Sequence, residues 1–258
     1  ARLEDLSMPK LPADISRAAK IFFDYSKNRT LFKYHKRIRQ SRTSRMSANC
    51  FQNIGVLYIH VPRTAGTSVT RFLDAIDSAA TARADQITMP STVATTTKHV
   101  KAIDAQILLG PQLFEQYHKI VVVRNPWDLM LSSYRWWRTY AHMSYDTIGP
   151  ASILRNLSFP EFIDSIYGRY FINEHYGRVK DWYQDQQQDL VDDIIRYEHL
   201  RVDLQSALER AGLRVDTGAL PNLNASAHTP YRDHYSAKAR DIVYERHKDV
   251  IERFGYEF

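Results

Sequence analysis

The chain has 258 residues, enough to bury a sizeable core, and its 44% hydrophobic content is that of a globular protein. A single cysteine, Cys50, excludes an internal disulfide framework and fits a reducing compartment, and with no run of ~18 apolar residues there is no membrane-spanning helix in this sequence. The net charge of +6 is unevenly spread: no acidic residue occurs from Tyr25 to Leu73, while Lys27, Arg29, Lys33, Lys36, Arg37 and Arg39 crowd the first part of that interval. Such a field concentrates an anionic cofactor, an acidic glycan, a nucleic acid or a membrane, or else belongs to a solvated arm.

Residues 1–50 read as a basic, helical N-terminal extension flanking a main body over 51–258. Within it Ile15 to Tyr25 has helical spacing, with Ile15, Ala19, Phe22 and Phe23 on one side. The basic stretch 27–45 is either a further helix or an extended arm. Val56 to Val61 is then a β-branched and aromatic run of the length of a buried strand, ended by Pro62, which has no N–H to give to a ladder. A small-residue turn follows. In it Gly66 permits close approach of a ligand to the backbone, Thr64, Thr67 and Ser68 offer hydroxyls, and Val69 to Ile76 continues as an amphipathic helix. The first helical turn, the positive end of the helix dipole and the charge of Arg63 together suit an anion. An ordinary βα turn is the plainer reading. The spelling is not Gly-x-x-x-x-Gly-Lys-Ser/Thr, so the usual nucleotide triphosphatase loop is not what this is.

Further on, Gln86 to Met89 is a short strand candidate, Ser91 to Thr97 a loop, and His99 follows that loop. Ile120 to Val123 is an apolar run suited to a parallel strand covered on both faces. Asn125 is a good N-cap and Pro126 a good first helical residue. Trp127, Met130, Leu131, Tyr134 and Trp137 recur at helical spacing toward the core, leaving Ser132 on another face, two turns from Arg124. Tyr140, His142, Met143 and Tyr145 either line a cleft or cap the structure. Ser158 and Pro160 start a helix from Phe159 to Tyr167. Tyr170 to Gln188, rich in Tyr, Trp, Asp and Gln, reads as an exposed helix with an aromatic stripe, the alternative being a sugar-binding segment. Val191 to Glu198 is a strand leading into a helix from Leu204 to Ala211, stopped by Gly212; the last helix carries Val243, His247, Val250 and Phe254 on one face and stops at Gly255. The sequons at Asn28, Asn156 and Asn224 read as chance occurrences. No CxxC, HExxH or Gly-x-Ser-x-Gly supports a zinc site or a nucleophilic triad.

Pro62-Arg-Thr-Ala-Gly-Thr-Ser68 resembles the 5′-phosphosulfate loop of sulfotransferases that use 3′-phosphoadenosine 5′-phosphosulfate (PAPS), commonly written Pro-Lys-Thr-Ala-Gly-Thr-Ser. Lys119-Ile-Val-Val-Val-Arg-Asn-Pro-Trp-Asp-Leu-Met-Leu-Ser-Ser-Tyr134 is similar to their 3′-phosphate motif. Arg196-Tyr-Glu-His-Leu200, the stretch Leu223 to Tyr235 and the terminal Gly-Tyr-Glu-Phe are also similar to family segments, so the resemblance covers about residues 54–258. Two phosphate motifs in the right order, each at a strand-to-helix junction with about 60 residues between them, exceed what chance supplies.

The resemblance implies a P-loop-like α/β fold of three layers, with a mostly parallel central sheet and helices on both faces. It implies a PAPS donor, 3′-phosphoadenosine 5′-phosphate (PAP) as product, no metal, and an acceptor hydroxyl on a carbohydrate or other compound, acidic in some members, as in the branch of heparan, dermatan and chondroitin O-sulfotransferases and their bacterial relatives. The implied donor-binding residues are Arg63, Thr64, Ala65, Gly66, Thr67, Ser68, Arg124, Ser132, Tyr231 and Arg232, with Asn224 and Ser226 in the same late loop. The implied general base is His99, an imidazole whose reference pKa of ~6.5 leaves it mostly neutral at pH 7. A structural role is the other reading of His99, and His60, inside the strand, is its rival. Arg63 departs from the family lysine: it stabilises a leaving group by charge but cannot protonate it. A cytoplasmic setting of bacterial type is expected, or the Golgi lumen if an anchor precedes Ala1. Nucleic acid is not an expected partner, and no membrane span is expected in this sequence. Two other classes compete: a P-loop nucleotide kinase, which needs Mg²⁺ and a Walker lysine, and a basic polyanion-binding module, which leaves the paired phosphate motifs unexplained.

Overall fold

The computed structural model describes residues 49–80, 99–143, 156–165, 178–221 and 229–258, without the side chains of 137 and 140–143. Residues 1–48, the strand candidate at 86–89, Tyr145, the end of the 159–167 helix, residues 170–177, Asn224 and Ser226 lie outside them.

A sheet of four strands organises the body, in the order β1 (Cys50–Phe51), β2 (Val56–Ile59), β3 (His118–Val123) and β6 (Asp193–Arg196). The β1–β2 pair is antiparallel, whereas β2–β3 and β3–β6 are parallel. Side-chain alternation divides these strands between two faces. Val56, Tyr58, Ile120, Val122 and Ile195 pack against Val69, Phe72 and Leu73 of α1 (Gly66–Ala79) and Leu204, Ala207 and Leu208 of α6 (Leu200–Arg210). Leu57, Ile59, Val61, Val121 and Val123 face α2 (Ala102–Leu109) and α3 (Pro111–Gln116). Helices therefore cover both faces, and from Ile120 to Val123 the strand is fully buried, as an uninterrupted apolar run requires.

A third apolar cluster joins α4 (Pro126–Met143), α5 (Phe159–Asp164) and α7 (Ala237–Phe254) through Trp127, Met130, Leu131, Tyr134, Phe162 and Val243. Local chemistry sets the helix ends. Ser158 and Glu161 form a capping box at α5, and Gly255 takes the left-handed conformation (φ 63°) that ends α7.

The exposed aromatic helix expected over 170–188 is not what the described part of that segment forms. Val179–Trp182 is a single 3₁₀ turn, followed by a two-stranded hairpin of β4 (Gln184–Asp185) and β5 (Gln188–Asp189) with Gln186 and Gln187 at positive φ. Trp182 and Tyr183 are buried in the core on the α2–α3 side, so the aromatic spacing reflects packing. Cys50 is buried too, which pushes its thiol up to about 12. Among the described residues no helix is long and apolar enough to cross a membrane.

Candidate functional site at the carboxyl edge of the sheet

Because β2, β3 and β6 are parallel and in register, the segments leaving Ile59, Val123 and Arg196 emerge along one edge. Open α/β sheets bind ligands there. This edge gathers residues that stand far apart in sequence.

The chain leaves β2 through a tight turn in which the Val61 N–H donates to the Ile59 carbonyl (3.1 Å), and the Thr64 hydroxyl donates to the Val61 carbonyl (2.8 Å). Arg63 (φ 66°) and Ala65 (φ 60°) both occupy the left-handed region, which costs a non-glycine residue about 1–3 kcal/mol in such a turn unless surrounding contacts hold it. Ala65 is the N-cap of α1, and its carbonyl accepts from the N–H groups of Ser68 (2.9 Å) and Val69 (3.1 Å). Thr64 and Ser68 are buried, Thr67 partly so. The glycine at 66 is required for a different reason from the one its sequence suggests. A Cβ there would lie 1.7 Å from Nε2 of His60, so the space a side chain needs is filled by a buried imidazole.

Arg63 links the two halves of the site. Its Nε donates to the Ser132 hydroxyl (3.2 Å) and its carbonyl accepts from Nη1 of Arg124 (2.9 Å). Arg124 in turn directs Nε (2.8 Å) and Nη2 (2.7 Å) to the Asp128 carboxylate one helical turn on, and its guanidinium stacks on the Tyr197 ring, 4.1 Å from the centroid. Arg63, Arg124 and Ser132 thus converge, with the first arginine between the other two residues. Asn125 caps α4 through its side-chain oxygen, which accepts from the Trp127 N–H (3.0 Å). Its own N–H donates to Glu198 (2.7 Å), and Nδ2 donates to the Glu257 carbonyl (3.1 Å) and the Tyr231 hydroxyl (3.3 Å). The Tyr231 hydroxyl also donates to the Glu257 carbonyl (3.2 Å), and burial raises its pKa. Arg232 is exposed and lies over the Tyr231 ring, 4.9 Å from its centroid.

His99 stands on the other side of the loop. Its Nδ1 is 3.1 Å from the His60 carbonyl oxygen, and its ring meets the His60 ring edge-on at 4.6 Å. A carbonyl can only accept, so Nδ1 carries the proton, and in the neutral ring Nε2 holds the lone pair. His60 is the first residue beyond β2, buried, and stacked on Tyr58 at 5.4 Å between ring centroids. Three residues of this edge escaped sequence reasoning as parts of a site. Asp128 carried a legible signal, a carboxylate at i+4 from an arginine. Tyr197 and Glu198 stood within the stretch Arg196-Tyr-Glu-His-Leu200 that resembles a family segment, but nothing local named their partners, which lie at the exit of the neighbouring strand.

A family model described as the sulfotransferase family matches residues 47–257. The chain belongs to the sulfotransferase family, a class of sulfuryl-transferring enzymes. No curated protein and no solved structure matches it significantly. Among the described residues no group of three or more His, Cys, Asp or Glu side chains is arranged to hold a metal ion.

Proposed function

We propose that this protein transfers the sulfuryl group of PAPS to an acceptor hydroxyl in a P-loop-like site, with Arg63, the α1 N-terminus, Thr67 and Ser68 at the 5′-phosphosulfate and Arg124 with Ser132 at the 3′-phosphate. The convergence of two arginines and a serine hydroxyl at the carboxyl ends of β2 and β3 carries this reading. Two cationic forks, one of them bonded to the backbone carbonyl of the residue that carries the other, suit a ligand with phosphate at two positions. Tyr231 and Arg232 complete the donor side, the tyrosine adjoining the start of α4 through Asn125.

In the proposed reaction the acceptor hydroxyl attacks sulfur in line, forming the new S–O bond as the bond to the 5′-phosphate oxygen breaks. His99 takes the hydroxyl proton at Nε2, the nitrogen left basic by the Nδ1–H bond to the His60 carbonyl. Negative charge passes to the departing 5′-phosphate, where Arg63 and the N–H groups that begin α1 stabilise it; as in phosphoryl transfer, positioning and electrostatics supply most of the effect. No step calls for a metal ion. We extend the proposal to a carbohydrate acceptor, on the net charge of +6 and on the indole of Trp136, exposed one turn beyond Ser132.

Titration with PAP, ADP and ATP in parallel, without magnesium, tests the donor. Preference for PAP, lost in Arg124→Ala, is the expected result. Indifference to all three, or a magnesium-dependent preference for ATP, would replace the reading by a polyanion-binding or a kinase function respectively.

A further inference from the structure

We infer that Arg124 has a second task beyond any contact with ligand: held in one orientation by Tyr197 and Asp128, it is the strut that keeps the strained loop at Arg63 in shape, so that the two anion positions form one coupled unit. The inference rests on the donor reading for its functional meaning. The strut itself follows from geometry alone.

Arg63 is not a glycine, yet it sits at φ 66°, two residues before a second left-handed residue, Ala65. A turn of this kind persists only where its surroundings over-determine it. Within the loop the Thr64 hydroxyl donates to the Val61 carbonyl, and the Ala65 carbonyl accepts from the Ser68 and Val69 N–H groups. From outside, the peptide carbonyl of Arg63 is held by Nη1 of Arg124 at 2.9 Å. That donor is aimed with little freedom. Asp128 takes the Nε edge of the same guanidinium, and the centroid of the Tyr197 ring lies 4.1 Å from its Cζ, so the three contacts fix edge, end and face. Arg124 is only 12% exposed at its side chain, which limits the water available to replace these partners. Tyr197 and Asp128 are therefore positioning residues, and the loop that would meet the 5′ end of a donor depends on the exit of β6, a strand it does not touch in the sheet order.

The consequence separates this role from simple phosphate binding. Arg124→Ala and Tyr197→Leu should weaken a ligand that has no 3′-phosphate at all, such as adenosine 5′-phosphosulfate, by about tenfold, because the loop that receives its 5′ end is no longer held. Tyr197→Phe keeps the ring face and should behave as the parent. Hydrogen exchange on the unliganded protein reads the strut without any nucleotide: amides in a peptide spanning residues 60–68 should exchange about tenfold faster in Arg124→Ala and Tyr197→Leu, with peptides from β3 and α6 unchanged as controls for folding. Unaltered loop exchange in both variants, or a loss of PAP affinity in Arg124→Ala with adenosine 5′-phosphosulfate unaffected, would overturn the inference. A parent protein that does not prefer PAP to ADP would remove the donor reading instead, and the exchange result would still decide whether Arg124 is a strut.

Discussion

Arg63 stands where the sulfotransferase loop that this stretch resembles usually has lysine. The guanidinium directs Nε to Ser132, while the backbone carbonyl of the same residue accepts from Arg124. Arg63→Ala should lose most of the turnover, on the order of a hundredfold or more as for other charge-stabilising donors, while Arg63→Lys retains a good part. Sulfuryl-transfer rates at saturating donor would check both; an Arg63→Ala enzyme as fast as the parent would remove Arg63 from the mechanism. Gly66 makes a second residue-scale case. Since a methyl at 66 collides with the His60 ring, Gly66→Ala should destabilise the fold by about 1–3 kcal/mol through overpacking, and adding His60→Ala should restore much of that loss. Denaturant midpoints of the two single variants and the double variant decide it: additive losses would show that the two positions do not share the space.

At the scale of the element, α7 carries an unusual feature at its middle. His247 is fully buried, and neither ring nitrogen has a hydrogen-bond partner among the described residues. Its backbone (φ −117°, ψ 19°) departs from helical values, kinking the helix. Burial, reinforced by Arg246, lowers its pKa from 6.5 to about 3, while Asp249 opposes that shift and Arg178 and Asp181 of the adjoining 3₁₀ turn act in opposite senses. The folded state therefore keeps this ring neutral where the unfolded chain binds a proton. Stability is unaffected by His247 above about pH 6.5 and falls below it, by about 1.4 kcal/mol for each pH unit down to about pH 3. Urea unfolding between pH 7.5 and 5 should show this slope in the parent and a flatter one in His247→Leu. Equal slopes would mean that other groups carry the acid sensitivity.

For the whole molecule, the arrangement that matters is the shared edge. Parallel pairing of β2, β3 and β6 sends three chain segments to the same place, and two of them deliver the arginines that meet there. A ligand bridging these segments should stabilise the entire domain and not one loop. PAP at a hundred times its Kd should add about 2.7 kcal/mol, raising the melting temperature by roughly 5–10 °C for a protein of this size, and the rise should persist in EDTA. ADP at the same concentration should give a smaller rise. A thermal scan with and without chelator tests both statements, and a rise abolished by EDTA would point to a metal-dependent site.

Much of this architecture is legible in short stretches of sequence. The apolar run at 120–123 marks β3, Asn125-Pro126 marks the start of α4, and Gly212 and Gly255 mark where α6 and α7 stop, because strand burial, capping and left-handed stops are properties of a few adjacent residues. The paired loops stood out for the same reason, each being a contiguous motif. Other features required the folded chain. Tyr197 beneath Arg124, the His60 ring in the space beside Gly66, and Arg63 between Arg124 and Ser132 are contacts whose partners meet through strand order and side-chain direction, which a local window does not encode. The segment around Trp182 and Tyr183 shows the limit from the other side. Aromatic spacing suggested an exposed helix, but spacing alone does not say which rings are buried, and Trp182 and Tyr183 turned inward beside a 3₁₀ turn and a hairpin. Local chemistry thus wrote the elements and the motifs, while the register of three parallel strands chose which of those motifs would touch.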